Sequence, residues 1–182
     1  MTLKNRSIPR DDKGKFTDKP GISESKTKSK TLKDVKIISS PDNSGLYHIT
    51  TKTVGKYKGN RKQYFRKVKN WYNENLKNKT ITNEILGEIT FSAKGIKETL
   101  YRNRKVPKNL KYFPAVLGIL KHSKDITPEK IKHYKPGAIG AFKIKGKSVT
   151  EKTKDGIRKI KIIVIKYSNK IEFYTFDARY KA

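Results

Sequence analysis

The chain contains the four residue types that suffice for cleaving RNA without a metal ion: histidine, lysine, arginine and tyrosine. In that reaction a base deprotonates the 2′-hydroxyl, which attacks its own phosphate, while an acid protonates the leaving oxygen and cations hold the extra negative charge. We expect His133 to be the acid–base group and Arg158 and Lys161 to be the phosphate-binding cations. Tyr174 or Lys94 would be an additional group of the catalytic site. Any basic protein has these residue types, so composition permits this chemistry without requiring it.

His133 allows two interpretations. It lies in the segment Lys132–Lys135, which is too polar for a core, and the sequence alone favours an ordinary loop histidine over an acid–base group. The other histidines are weaker candidates. His122 ends an apolar helical pattern, where histidine commonly interacts with the helix dipole, and His48 lies close to the polar N-terminal region.

Metal-dependent hydrolysis is disfavoured by the spacing of the carboxylates and histidines. Two-metal nucleases hold divalent ions with several converging carboxylates. The histidines show no H-E-x-x-H spacing, and the absence of cysteine excludes thiolate nucleophiles and cysteine-based zinc sites. We therefore expect no metal and no cofactor. The C-terminal carboxylates, which form no D-x-D or E-x-K arrangement, are Glu151, Asp155, Glu172 and Asp177.

The stretch ITFSAKGIKETLYRNRK, residues 89–105, predicts a strand that leads into a helix with a cationic face. Ser92 suits the N-cap of a helix from Lys94 to about Arg102, and Ile96 and Leu100 would face the core. We expect the opposite face to bind nucleic acid, together with Lys159 further along the chain. The predicted contact residues of this face are Lys94, Lys97, Arg102, Arg104 and Lys105.

The charge balance indicates a polyanionic partner. The 182 residues include 45 Lys or Arg and 16 Asp or Glu, a formal net charge of +29. A domain this basic repels itself unless a polyanion or counterions neutralise it. We expect that partner to be nucleic acid, with RNA, including transfer RNA, as the leading candidate.

Composition divides the chain at about residue 45. Residues 1–45 have 11 basic and 6 acidic residues and few large apolar ones, so they cannot bury enough surface to offset the entropy of ordering. We predict a flexible basic arm there and a single domain over residues 46–182. That domain holds 34 basic and 10 acidic residues, and most of the positive charge therefore belongs to it.

Hydrophobic periodicity predicts helices first and strands afterwards. It predicts helices over about 63–76, over the cationic stretch above, and from Pro107, with a further helical start at Thr127–Pro128–Glu129. A turn is expected at Asn78–Thr80 and a strand over 85–91. Three strands follow at 138–149, 157–167 and 170–176. This order indicates an α+β fold in which N-terminal helices pack on one face of a C-terminal antiparallel sheet.

Two runs, residues 71–83 (WYNENLKNKTITN) and 87–97 (GEITFSAKGIK), resemble the opening of the large polyvalent protein-associated domains of phages and mobile elements. The later order of a helix, a spacer with His133 and a meander is similar too, and the resemblance covers about residues 64–180. Such domains resemble the barnase–EndoU–colicin–RelE-like nuclease toxins, which are small α+β proteins that cut RNA without a metal ion. Those nucleases often use paired histidines, and this chain has no histidine after His133.

The resemblance implies an RNA-cleaving toxin or phage-associated nuclease domain, a metal-independent endoribonuclease that an acidic immunity or antitoxin protein would inhibit. The alternative is a non-catalytic nucleic-acid-binding accessory protein of a phage or mobile element, which basic helices and a polar arm explain equally well. No apolar signal-peptide segment and no run of about 18 apolar residues is present. We expect a cytoplasmic protein, or one delivered into a target cell's cytoplasm, with no membrane partner.

Overall fold

The α+β prediction is confirmed: helices pack on one face of a sheet that runs through the whole described fold. The computed structural model describes residues 30–31, 38–49, 53–131, 135–150 and 156–181. Within these ranges the strands are β1 Lys30–Thr31, β2 Leu46–Ile49, β3 Lys79–Asn83, β4 Gly87–Phe91, β5 Ile126–Glu129, β6 Ala138–Thr150, β7 Arg158–Tyr167 and β8 Ile171–Lys181. The helices are α1 Arg61–Asn75, α2 Ala93–Arg102, a 3-10 helix Pro107–Tyr112 and α3 Phe113–His122.

The sheet has the order β1-β3-β4-β8-β7-β6-β2, with β5 also paired to β6. Its centre is the predicted antiparallel meander of β6, β7 and β8. The sequence did not indicate the parallel pairs, β1 with β3, β2 with β6, and β4 with β8. Parallel pairing needs a long crossover, and the chain between β4 and β8 provides one because it contains α2 and α3.

The core lies between the inner face of the sheet and α3, the most apolar helix. Every residue from Phe113 to Leu120 is buried, and α3 contacts strands towards both ends of the sheet, β3 and β2. Ile160, Ile162 and Val164 are buried on the inner face of β7, as their spacing predicts. Next to them Gly146 lies against Ile119, where a Cβ would come within 2.5 Å of that side chain. Helix and sheet therefore approach closely.

Two local predictions were wrong. Thr127–Pro128–Glu129 begins no helix: it belongs to β5, which pairs antiparallel with β6. Proline is tolerated there because β5 lies beside the main strand order, where a missing N–H breaks no central ladder. The turn predicted at Asn78–Thr80 lies earlier, over residues 76–78. Asn78 has a φ of 61°, and β3 begins at the next residue.

Part of the predicted arm lies inside the described ranges. Ile38 packs against the core, Ser39 donates a hydrogen bond from Oγ to the Pro114 carbonyl (3.4 Å), and Pro41 forms a bridge with Tyr47. Lys30–Thr31 forms β1 at the edge of the sheet. The other residues up to 37 lie outside the described ranges, so a flexible arm stays a prediction.

Asn83 joins β3 to the end of α3. Its buried side chain donates from Nδ2 to the carbonyls of Leu120 (2.8 Å) and Ser123 (3.2 Å), which lie at the helix C-terminus. Its Oδ1 accepts from the backbone N–H groups of Ile85 (2.9 Å) and Leu86 (3.1 Å), which form the turn into β4. One side chain thus satisfies four backbone groups that regular structure leaves unpaired.

Replacing Asn83 with Ala should therefore lower the free energy of unfolding by about 2 to 3 kcal/mol, because the buried bond to the Leu120 carbonyl and three part-buried bonds are lost. Urea unfolding of the full chain measures this. Thr82→Ala on the exposed face of the same strand is the matched control and should change stability by less than about 0.5 kcal/mol. Equal stability of the two variants would contradict this role for Asn83.

Candidate nucleic-acid interface

The outer face of the sheet, opposite the helical core, carries several of the predicted site residues. Side chains alternate along β7, so the residues that alternate with Ile160, Ile162 and Val164 point to this face. Lys161, Ile163 and Ile165 line an open cavity there. The apolar pair gives the cavity a hydrophobic floor, and Lys161 adds a cation.

A β-bulge in β8 places Tyr174 in this cavity. Ile163 is opposite Thr175, whereas Val164 is opposite Phe173, so Tyr174 is an extra residue in β8. Bulges redirect side chains and occur often next to active sites. Phe173 remains in the core, while Tyr174 and Thr175 both line the outer cavity.

Helix α2 lies beside β8 and forms the wall of this cavity. Strand β4 pairs with β8 only as far as Phe173. Beyond that residue, the Asn103 side chain at the end of α2 donates to the Phe176 carbonyl (3.2 Å). At the start of α2 the Ser92 side chain accepts from the Gly95 N–H, which confirms the predicted N-cap. Gly95 lies so close to β8 that a Cβ would come within 2.6 Å of the Phe173 carbonyl oxygen.

Helix α2, the outer face of the sheet and the segment at Lys135 enclose what we call the Tyr174 cleft. It has two adjoining parts, and Tyr174, Ile165 and Lys135 line both. The sheet and Arg102 line the first part, and α2 lines the second. The charged residues and tyrosines that complete the lining are Lys94, Lys97, Glu98, Tyr101, Glu129, Lys130, Lys161, Tyr167, Glu172 and Asp177.

Two cations flank the Tyr174 ring. Lys135 Nζ is 4.4 Å and Arg102 Cζ 5.9 Å from the ring centroid, within the range of cation–π attraction. Arg102 is held in place by a 2.8 Å hydrogen bond from Nε to Glu98 Oε1, one helical turn earlier. Partial burial opposes the charged form of Arg102, but the Glu98 carboxylate and the Tyr174 hydroxyl outweigh it and raise the pKa of Arg102. The guanidinium is therefore a permanent cation.

Carboxylates also line the cleft, so its charge is mixed. Glu129 forms an ion pair with Lys143 (3.3 Å), and Glu172 forms one with Lys170 (2.8 Å). Asp177 lies opposite Lys161 in the β7–β8 register. Within the described ranges, no three or more histidine, aspartate or glutamate side chains are grouped as metal ligands. The cleft thus brings groups that accept and donate protons next to cations.

The predicted residues fall into four groups. Tyr174 and Lys161 line the cleft, as do Lys94, Lys97 and Arg102 of the predicted cationic helix face. His133 lies outside the described residues. Three others lie elsewhere: the half-buried Arg158 is at the start of β7, opposite Ser148; Arg104 is over the Tyr101 ring (3.9 Å); Lys105 is in the exposed turn after α2. Lys159 is on the outer face, in a groove next to the cleft that Lys161 also lines.

Sequence reasoning missed Lys135, Glu98 and Glu129. The sequence pattern predicts a helical start at Glu129, whereas the residue lies on β5 beside the cleft. Glu98 lies four residues before Arg102, a spacing that favours an ion pair on a helix, and this signal could have identified it. Nothing in the pattern around Lys135 indicates that its side chain contacts Tyr174, because that contact depends on tertiary structure.

Comparison with protein families gives a match over residues 59–174 to large polyvalent protein-associated domain 3. This span is more than half of the chain. The chain belongs to this family. The large polyvalent protein-associated domain is associated with phages and mobile elements, in agreement with the resemblance in the sequence. Searches of the curated proteins and of the solved structures find no match.

The family match contains all of α1, α2 and α3 and ends at Tyr174, the bulge residue. It therefore covers the helical wall of the cleft and the ring at its centre, and leaves the rest of β8 outside. None of the described helices of the large polyvalent protein-associated domain is long and apolar enough to cross a membrane.

Replacing Gly95 with Ala tests how closely α2 approaches β8. Helix propensity alone predicts that the free energy of unfolding rises by about 1 kcal/mol, because Ala is a better helix former than Gly. The contacts predict that the free energy of unfolding falls by about 1 to 3 kcal/mol, because the new Cβ would clash with the Phe173 backbone and the Tyr72 hydroxyl. Urea unfolding decides the sign, with Lys97→Ala on the exposed face of α2 as a control that should be nearly neutral. A stabilised Gly95→Ala variant would contradict the close approach.

Proposed function

We propose that the large polyvalent protein-associated domain of this chain binds nucleic acid in the Tyr174 cleft. The observation that carries the proposal is the partly exposed Tyr174 ring, which lies on a β-bulge between cations supplied by α2 and by Lys135. An aromatic ring stacks a base whatever its identity, and nearby lysines and arginines neutralise the adjoining phosphates. Both kinds of group line one cleft, where a stacking base would displace the Lys135 ammonium from the face of the Tyr174 ring.

The charge distribution supports the same function. Residues 46–182 hold 34 basic and 10 acidic residues, so the excess is not confined to the N-terminal segment. On α2 the cleft-facing cations lie on the exposed side of the helix, and Ile96 is buried on the other. A surface field of this sign raises the local concentration of polyanions and speeds their association.

Metal-independent cleavage of RNA is the second candidate function, favoured by the carboxylates and the phenol among the cations of the cleft. A base such as the Glu129 carboxylate would take the proton of the 2′-hydroxyl as that oxygen forms a bond to phosphorus. The bond from phosphorus to the 5′-oxygen would break, and Tyr174 would protonate that oxygen. Arg102 and Lys161 would offset the extra charge. The products would be a 2′,3′-cyclic phosphate and a 5′-hydroxyl.

The binding proposal is tested by fluorescence anisotropy of a labelled oligonucleotide with the full chain at several salt concentrations. The wild type should bind more weakly as salt rises. Tyr174→Leu should weaken binding about tenfold or more, because it removes the stacking surface, and Tyr174→Phe should bind as the wild type does. Equal affinity of the wild type and Tyr174→Leu would overturn the assignment of the cleft.

Cleavage is tested by incubating total RNA with the full chain in the presence of EDTA. Products that end in a cyclic phosphate should accumulate despite the chelator. Tyr174→Phe, which keeps the ring and lacks the hydroxyl, should lose about 100-fold or more in rate while binding is retained. His133→Ala replaces the acid–base group predicted from the sequence and should abolish cleavage. RNA that stays intact across pH and salt would reject the enzyme and leave the binding function standing.

A further inference from the structure

Five lysines form a compact group on the outer face of β6 and β7, next to the Tyr174 cleft. We call the group the lysine ladder. Lys145 is directly opposite Lys161, and Lys147 is directly opposite Lys159. Their neighbours Gly146 and Ile160 face α3 on the other side of the sheet, which fixes the lysines on the outer face. The members of the ladder are Lys143, Lys145, Lys147, Lys159 and Lys161.

This arrangement is unfavourable for the folded chain by itself. Side chains directly opposite each other on antiparallel strands have Cβ atoms only about 5 Å apart, and like charges in such pairs destabilise a sheet. Here two like-charged pairs follow each other on the same face. Neutral residues with high strand propensity would form the same face without repulsion.

Carboxylates compensate one end of the ladder. Glu129 is 3.3 Å from Lys143, and Asp125 is 3.8 Å from Lys145. At the other end, neither Lys147 nor Lys159 forms an ion pair with any residue that the structure describes. Unfavourable arrangements such as paired like charges are expected at functional sites, where a bound ligand can supply the opposite charge. An anionic ligand would relieve this repulsion.

The geometry of the ladder suits a row of phosphates. Residues two apart on one strand are about 6.8 Å apart, and paired strands are about 4.8 Å apart. The first distance is comparable to the separation of successive phosphates in an extended strand of nucleic acid. Lys161 lines both the groove of the ladder and the Tyr174 cleft, so the two sites adjoin at this residue.

We propose that the ligand is a single strand of nucleic acid, whose phosphates lie along the lysine ladder while one base stacks on Tyr174. This inference rests on the proposed binding function and specifies its ligand. The Tyr174 ring lies inside a cleft between α2 and the sheet, where only an unpaired base can reach its face. A duplex presents its bases edge-on in its grooves and its phosphates outside, so it would contact the ladder alone.

The test measures the affinity of the full chain for a labelled 15-nucleotide strand and for the same strand annealed to its complement, as a function of salt. The single strand should bind at least tenfold more tightly. In Lys147→Gln/Lys159→Gln, the slope of log affinity against log salt for the single strand should fall by about 0.7 per lysine removed. Lys67→Gln/Lys69→Gln on the exposed side of α1 removes the same charge away from the ladder, and its slope should not change.

The outcomes separate the two proposals. A duplex that binds as tightly as the single strand would overturn the single-strand inference and leave nucleic-acid binding intact. An unchanged slope in the ladder variant, or an equal fall in both double variants, would overturn the role of the ladder. The absence of any nucleic-acid binding would reject the proposed function itself. Thermal unfolding is the control for folding: the ladder variant should melt at a higher temperature than the wild type, and a lower one would contradict the repulsion on which the inference depends.

Discussion

The close approach of α2 to β8 is the constraint on which the rest of the site depends. Gly95 at the start of the helix and Asn103 at its end both contact the backbone of β8, at Phe173 and Phe176. A strand edge needs partners for its carbonyl and N–H groups, and α2 takes over from β4 where that strand ends. This exchange brings a cationic helix face to the margin of an open sheet. Without it, the helix and Tyr174 would belong to different surfaces.

The two faces of the sheet have different surroundings: the inner face packs in the core, and the outer face lines the cleft. Helix α3 is buried along its whole apolar length on the inner face, so the core is complete without the outer face. Because the core does not need them, the outer residues of β6 and β7 can be charged. A few of them are apolar, such as Ile163 and Ile165, and these form the floor of the cleft. Tyr174 reaches this face through one extra residue in β8, which reverses the alternation of the strand. The same bulge keeps Phe173 and Phe176 in the core on either side of it.

Local signals in the sequence predicted the elements better than their arrangement. Ser92 predicted the start of α2, and the spacing of Ile160, Ile162 and Val164 predicted the buried face of β7. The parallel pairing of β4 with β8 depends on residues about 80 positions apart, which no periodicity encodes. For the site, residue type identified Tyr174 and Lys161 as candidates. Their proximity to Lys135 follows from a bulge and a crossover, and neither has a signature in a single sequence.

The contrast between the cleft and the ladder bears on what each does. A surface that only held phosphates would gain from excluding carboxylates, since each one repels the ligand. The end of the ladder at Lys147 and Lys159, where no carboxylate of the described residues forms an ion pair, has that character. Around Tyr174 the cations are instead interspersed with Glu98, Glu129 and Asp177, which would repel a phosphate. Groups that can exchange protons are useful where a bond is made or broken and unhelpful where a backbone is merely held. If the proposed cleavage takes place, this distribution of charge suits a reaction at the cleft and binding of the adjoining backbone along the ladder.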